Sequence, residues 1–133
     1  MATNSYIAVK QGEQCKTIYC HNDGYPDYMY PMLRDWYGTK ERAESLVELG
    51  DASFIDKRLV PSLGSGHCFG KPEEDVSIFY HRDRGEDWNH NKPRFYSKQE
   101  VVQQMYYAYI FEEDNQWHVY IKGTEASDYS IFG

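Results

Sequence analysis

Apolar and polar positions alternate from Ser5 to Lys10, with Ile7 and Val9 on one side and Tyr6 and Ala8 on the other. The same period of two returns from Thr17 to His21, where Ile18 and Cys20 oppose Thr17 and Tyr19. Alternation of this kind marks strands, and the polar tetrad Gln11-Gly12-Glu13-Gln14 between them predicts a hairpin. Asn22-Asp23-Gly24-Tyr25-Pro26 then breaks the strand with residues that tolerate or fix turn dihedrals. From Tyr28 to Tyr37 the period becomes helical, and Met29, Met32, Leu33 and Trp36 share a face. Pro31 fits a helix that begins near it, because a first-turn proline gives up no hydrogen bond. Thr39 is placed as the N-cap of a second helix running to Leu49. Ala43, Leu46 and Val47 form its apolar stripe, and Gly50 sits at the C′ position.

Residues 51–75 carry Pro61, Gly64, Gly66, Gly70 and Pro72 and read as loop. Val76 to His81 reads as a strand presenting Val76, Ile78 and Tyr80, and Arg82 to Lys92 as a polar loop. Ser97-Lys98-Gln99-Glu100 is a capping box opening a helix that buries Val101, Val102, Met105 and Tyr106. A terminal hairpin pairs Tyr109–Phe111 with Trp117–Ile121. The expected architecture is a single α+β domain over residues 1–133. Its order is ββααβαββ, an antiparallel or mixed sheet with helices packed on one face.

Composition narrows the function classes. The net charge of −7 over 133 residues excludes a broad basic surface of the kind that grips duplex DNA. The charge serves solubility, or else an acidic surface that occupies a DNA-binding protein, although groups such as Glu73-Glu74-Asp75 and Glu112-Glu113-Asp114 are short and dispersed. Thirteen tyrosines exceed what a core of this size holds, which predicts contact surfaces and a homodimer or higher oligomer. No apolar run approaches membrane-spanning length and no leader pattern opens the chain, so a cytoplasmic protein is expected. Cys15, Cys20 and Cys68 are odd in number and unpatterned, as in a reducing compartment.

Three clusters could carry chemistry. In Tyr19-Cys20-His21-Asn22-Asp23-Gly24-Tyr25-Pro26, His21 and Asp23 would point the same way along an extended chain and could share a proton or a metal; a simple turn explains them equally. In Gly64-Ser65-Gly66-His67-Cys68-Phe69-Gly70, the glycines could bare backbone N–H groups to an anion, yet the Lys-Ser/Thr pair of a phosphate loop is missing. In Tyr80-His81-Arg82-Asp83-Arg84-Gly85-Glu86-Asp87-Trp88, an extended backbone would project Arg82 and Arg84 together. They would form a fork for phosphate or carboxylate oxygens, flanked by Tyr80 and Trp88 as stacking platforms. Surface pairing with Asp83 and Glu86 is the competing explanation. The fork reading makes both arginines dispensable for folding. His90 and His118 look incidental. No metal, cofactor or catalytic residue is expected.

Tyr19-Cys20-His21-x-Asp23-Gly24-Tyr25-Pro26 resembles a motif of small proteins encoded by tailed phages and prophages. The resemblance continues through Leu33, Tyr37, Gly50-Asp51-x-Ser53, Gly66-His67-x-Phe69, Tyr80-x-Arg82-Asp83-Arg84-Gly85-Glu86 and the Tyr109-x-Phe111 and Trp117 hairpin. The family is largely without an assigned activity. Small acidic phage accessory proteins often counter host defence, so the resemblance implies an inhibitor of bacterial immunity acting in the host cytoplasm. The leading expectation is a binding protein that sequesters a nucleotide-type immune signal, with His21, Asp23, Tyr25, His67, Arg82, Arg84 and Trp88 as ligand-binding residues. A second is an acidic protein that inhibits a host defence nuclease, of CRISPR or restriction type, by direct contact. A third is a small phosphodiesterase or hydrolase using His21, Asp23, His67 and His81.

Overall fold

The alternating segment at the start of the chain folds into β1 (Ser5–Gln11) and β2 (Gln14–Cys20). They pair antiparallel from Ser5 opposite Cys20 to Gln11 opposite Gln14. The structure, a computed structural model, describes residues 2–132 of the chain. After the hairpin come α1 (Pro26–Trp36), α2 (Lys40–Glu48), β3 (Ala52–Phe54) and β4 (Ile78–Phe79). Next are α3 (Tyr80–Arg84), α4 (Trp88–Asn91), β5 (Arg94–Tyr96) and α5 (Lys98–Gln104). The chain ends with β6 (Tyr107–Phe111), β7 (Trp117–Ile121), β8 (Thr124–Glu125) and a 3-10 turn over Tyr129–Phe132.

The fold is α+β, built on one mixed sheet in the order β4-β3-β2-β1-β6-β7-β8. β1 and β6 run parallel at its centre, and β6 and β7 form the expected hairpin with Phe111 opposite Trp117. The outer edge of β2 is shared. β5 pairs antiparallel with Cys15, Lys16 and Thr17, and β3 takes the end at Cys20.

The expected single helical face is corrected. Period two sends Ile7, Val9, Ile18, Cys20, Tyr109 and Phe111 to one face, where they pack with Met29 and Leu33 of α1 and Ala43, Leu46 and Val47 of α2. The other face sends Ala8, Cys15, Ala108 and Ile110 against Val101 and Val102 of α5. This helix is too short to cover its whole face.

Local chemistry explains most boundaries. Thr39 caps α2 through the Arg42 N–H at 3.2 Å, and Gly50, at φ +83°, ends it where a Cβ would meet the Asn91 carbonyl at 2.4 Å. Ser97 and Glu100 complete the capping box of α5, which buries Val101 and Val102; Met105 and Tyr106 fall beyond the helix. Helix α1 starts at Pro26 rather than near Pro31. Pro26 takes the first-turn position, and Pro31 sits in the interior, where it deprives the Asp27 carbonyl of its intrahelical donor.

The expected order ββααβαββ is also corrected: β8 and the 3-10 turn follow the terminal hairpin, and the other differences lie in residues 51–96. β3 is a three-residue strand in a segment expected to be loop and β5 one in a stretch given no element, each held by the free edge of β2. Of the expected Val76–His81 strand only Ile78–Phe79 is a strand; Val76 is buried as expected and bridges Arg58, and Phe79, not Ile78, is fully buried. The polar loop expected from Arg82 is mostly helical, in α3 and α4.

Candidate functional site

The half of the second sheet face that α5 leaves open carries a run of partly exposed rings. Tyr6 of β1 and Tyr19 of β2 are cross-strand partners on this face. On one side of them, the Tyr6 and Tyr96 rings stack with centroids 6.0 Å apart. On the other, the Tyr19 hydroxyl lies 2.7 Å from His21 Nδ1, and the Tyr80 N–H donates to the carbonyl of Asp51, whose carboxylate accepts the Tyr19 N–H. The Tyr80 ring packs on Phe69 at 5.7 Å, and the Arg84 guanidinium lies over Phe69 at 4.7 Å. Two groups of rings, Tyr96-Tyr6-Tyr19 and Tyr80-Phe69, thus make up an aromatic ribbon, the second group lying under the Arg84 cation. Burial raises the phenols of Tyr6, Tyr19 and Tyr80 above their ordinary value, so all three stay protonated at neutral pH.

A rigid polar layer supports the ribbon. Asp51, only 6% exposed, accepts the Tyr19 N–H at 2.9 Å and receives both arms of Arg94 at 3.0 and 3.1 Å. That pair ties β2 to β5. The hydrogen bonds that Arg94 donates to Asp51 hold its guanidinium further above its usual range, against burial, which favours the neutral form. Asn22 donates to both the carbonyl and the hydroxyl of Ser53, joining the end of β2 to β3. Sequence reasoning did not single out Arg94, Tyr6, Tyr96 or the Asp51 carboxylate as partners. Gly50-Asp51-x-Ser53 was part of the family-like pattern and was the available signal.

The expected site residues separate into distinct roles. Arg82 and Arg84 do not form a fork, because the backbone carrying them is helical rather than extended. Arg82 turns inward and donates Nε and Nη2 to Asp83 at 2.8 and 3.0 Å, Nη2 to Ser77 O at 2.9 Å, and Nη1 to Leu59 O. Its donors staple the 51–75 segment to α3. Asp83, 3% exposed, also accepts the Phe79 N–H at 2.8 Å and lies 3.2 Å from His67 Nε2. Burial pushes the Asp83 carboxyl up, but Arg82, the Phe79 N–H and His67 together hold it below the usual range. His67 is buried and accepts the Glu73 N–H at Nδ1, so it locks the glycine-rich loop instead of presenting it to a ligand.

Arg84 remains available. Its side chain is 56% exposed, and its ion pair with Glu86 is loose at 3.4 Å. His21 is exposed beside Tyr19. Asp23 adopts a left-handed φ of +57°, so the chain is not extended there and His21 and Asp23 do not act as a pair.

The Asp23–Pro26 crossover is chiefly structural. Gly24 passes so close to β1 that a Cβ would meet Ser5 Oγ at 2.6 Å, and its carbonyl accepts the buried Tyr109 hydroxyl at 2.6 Å. Tyr25 is exposed at the N-cap of α1. Trp88, 37% exposed, tilts on His81 at 5.1 Å and, with Leu49, Glu48 and Arg82, lines a separate open groove of about 470 Å³. Arg82 is held on its inner wall.

Among the described residues, no group of three or more His, Cys, Asp or Glu side chains is gathered as a metal ion would require. Burial pushes the thiols of Cys15 and Cys20 up to about 11 and about 12, so neither is a ready nucleophile. Among the described residues, no helix is long and apolar enough to cross a membrane.

The geometry defines a mixed-sheet α+β protein with partly exposed aromatic rings and an exposed Arg84 at one edge of the sheet. Comparisons with protein-family models, curated proteins and solved structures find no match to the chain.

Proposed function

We propose that the protein is a binding protein, not an enzyme, that captures a small nucleotide-type ligand on the aromatic ribbon. In this reading it is a phage-encoded inhibitor that sequesters a nucleotide immune signal in the host cytoplasm. One observation carries it: partly exposed rings, Tyr96 stacked on Tyr6 beside Tyr19 and Tyr80 packed on Phe69 under the Arg84 guanidinium, offer faces for a planar base and a cation for an anionic group. Rings of this type offer stacking worth about 1–3 kcal/mol per base, and an exposed guanidinium is suited to phosphate oxygens. Arg82, Asp83 and His67 serve this surface indirectly, by fixing α3 and the loop that presents Phe69. The resemblance to small phage proteins supplies the biological context.

The acidic face favours a second reading, direct contact with a basic host protein such as a defence nuclease. Glu41, Glu44 and Glu48 are spaced along one side of α2, and Glu44 borders a cleft of about 510 Å³ shared with Glu112 and Glu113. Lys10 and Lys40 line the same cleft, and Lys10 pairs with Glu113, which weakens the acidic field there.

Exposed Trp36, Phe95, Tyr106 and Ile131 support self-association. Light scattering is expected to give a dimer or larger species, and a monomer at micromolar concentration would oppose that.

A thermal-shift screen against ADP-ribose, cyclic ADP-ribose and cyclic dinucleotides tests capture. A stabilising nucleotide recovered intact after denaturation supports sequestration. Recovery as a cleaved product would reverse the reading in favour of hydrolysis.

A further inference from the structure

His21 Nδ1 has two polar neighbours, Asn4 and Tyr19. The Asn4 amide nitrogen donates to the His21 carbonyl at 2.7 Å, which orients the amide, and the same nitrogen lies 3.3 Å from His21 Nδ1. An amide nitrogen only donates, so this pairing gives Nδ1 the acceptor role. The Tyr19 hydroxyl, 2.7 Å from the same atom, is placed to donate to the same lone pair. With Nδ1 committed as an acceptor, the proton of the neutral ring sits on Nε2. The ring is exposed, and no protein partner of Nε2 is seen among the described residues.

We infer that His21 is a fixed Nε2–H donor at the edge of the ribbon, and that the ligand presents a hydrogen-bond acceptor, a phosphate oxygen or a base nitrogen or carbonyl, beside its stacked ring. Tyr19 and Asn4 are positioning residues for that donor. The inference rests on the nucleotide reading and sharpens it: a ring at Tyr19 and an anion at Arg84 are joined by an acceptor contact at His21. It also defines what His21 does not do. A ring nitrogen that carries a proton cannot remove one, and the lone pair of the other faces the Tyr19 hydroxyl and the Asn4 amide, so His21 is not placed to act as a general base.

The test has a structural arm and a binding arm. Long-range nitrogen–proton spectra of histidine-labelled protein at neutral pH are expected to show His21 protonated at Nε2 alone. Tyr19→Phe together with Asn4→Ala is expected to bring a mixture of the two neutral tautomers. His21 protonated at Nδ1 in the parent, or no response to the double change, overturns the inference. In the binding arm the probe is ADP-ribose. His21→Leu is expected to weaken binding about tenfold or more, whereas His21→Gln, whose amide restores a donor, stays within about threefold of the parent. Binding that depends on Arg84 but is equal in His21→Leu overturns this inference and leaves the nucleotide reading standing. If the parent does not bind ADP-ribose, the same comparison is made with a cyclic dinucleotide, and absence of binding to both overturns the binding role together with that reading.

Discussion

Replacing Arg82 by Ala should unsettle the molecule far more than replacing Arg84. Arg82 is 25% exposed and Asp83 3% exposed, and their paired bonds at 2.8 and 3.0 Å are reinforced by donation to the Leu59 and Ser77 carbonyls. Truncation leaves the Asp83 carboxylate with only the Phe79 N–H and the His67 ring, and leaves two carbonyls without this donor. Breaking a buried, hydrogen-bonded ion pair costs about 3–5 kcal/mol. Because Arg82 is partly solvated and Asp83 keeps other donors, we expect the lower end, about 3 kcal/mol. For 133 residues the unfolding entropy is about 0.28 kcal/mol/K, so Tm should fall by roughly 10 °C. Arg84→Ala loses only an exposed pair at 3.4 Å and should change stability by less than about 1 kcal/mol. Urea unfolding of the parent, both single variants, Asp83→Asn and the Arg82→Ala/Asp83→Asn pair would measure the coupling between Arg82 and Asp83. If Arg82→Ala unfolds within about 1 kcal/mol of the parent, Arg82 is not the staple described and its guanidinium is free for a ligand after all.

Gly24→Ala should destabilise by about 1–3 kcal/mol in the same assay, because its Cβ would meet Ser5 Oγ at 2.6 Å and the Thr3 carbonyl at 2.9 Å. Ser97→Ala should cost about 1 kcal/mol by removing the hydroxyl that accepts the Glu100 N–H at 3.2 Å. His118 carries a pH-dependent contribution. Its Nδ1 and Nε2 each lie 2.8 Å from a carboxylate oxygen, of Glu125 and Asp114, with Glu112 at 3.8 Å. Burial opposes the charge, but the bonds to Glu125 and Asp114 prevail and raise its pKa above the ordinary value. The stability it adds is therefore complete below the unfolded value of about 6.5 and is lost as pH rises through the higher folded value. The stability gap between the parent and His118→Gln should be widest near pH 6 and shrink on the alkaline side, and a gap that widens there would reverse the sign.

Much of the frame was legible because it rests on local rules. The β1–β2 and β6–β7 pairings, the Thr39 and Ser97 caps and the C′ glycine at Gly50 follow from period and capping chemistry. The segment from 51 to 96 was not legible in this way. β3 and β5 are too short to show a period and exist because the edge of β2 is open to them. The helical turn at Tyr80–Arg84 is stabilised by Asp83 accepting the Phe79 N–H and by long-range donation from Arg82, neither of which alternation can reveal. That turn decided the fate of the arginine fork. His21 and Arg84 were recognised as candidates, but their setting was not. It depends on Tyr6, Tyr96 and Tyr80, which come from three elements far apart in sequence and take their partners, Tyr6 with Tyr96 and Tyr80 with Phe69, only in the fold.

Calorimetric titration of the parent and Arg84→Ala with ADP-ribose and with a cyclic dinucleotide tests the nucleotide reading most directly. The account predicts that at least one of the two binds the parent, and that Arg84→Ala, folded as well as the parent, binds it about thirtyfold more weakly. Failure of both probes to bind the parent, or equal affinity in the variant, would contradict capture on the aromatic ribbon.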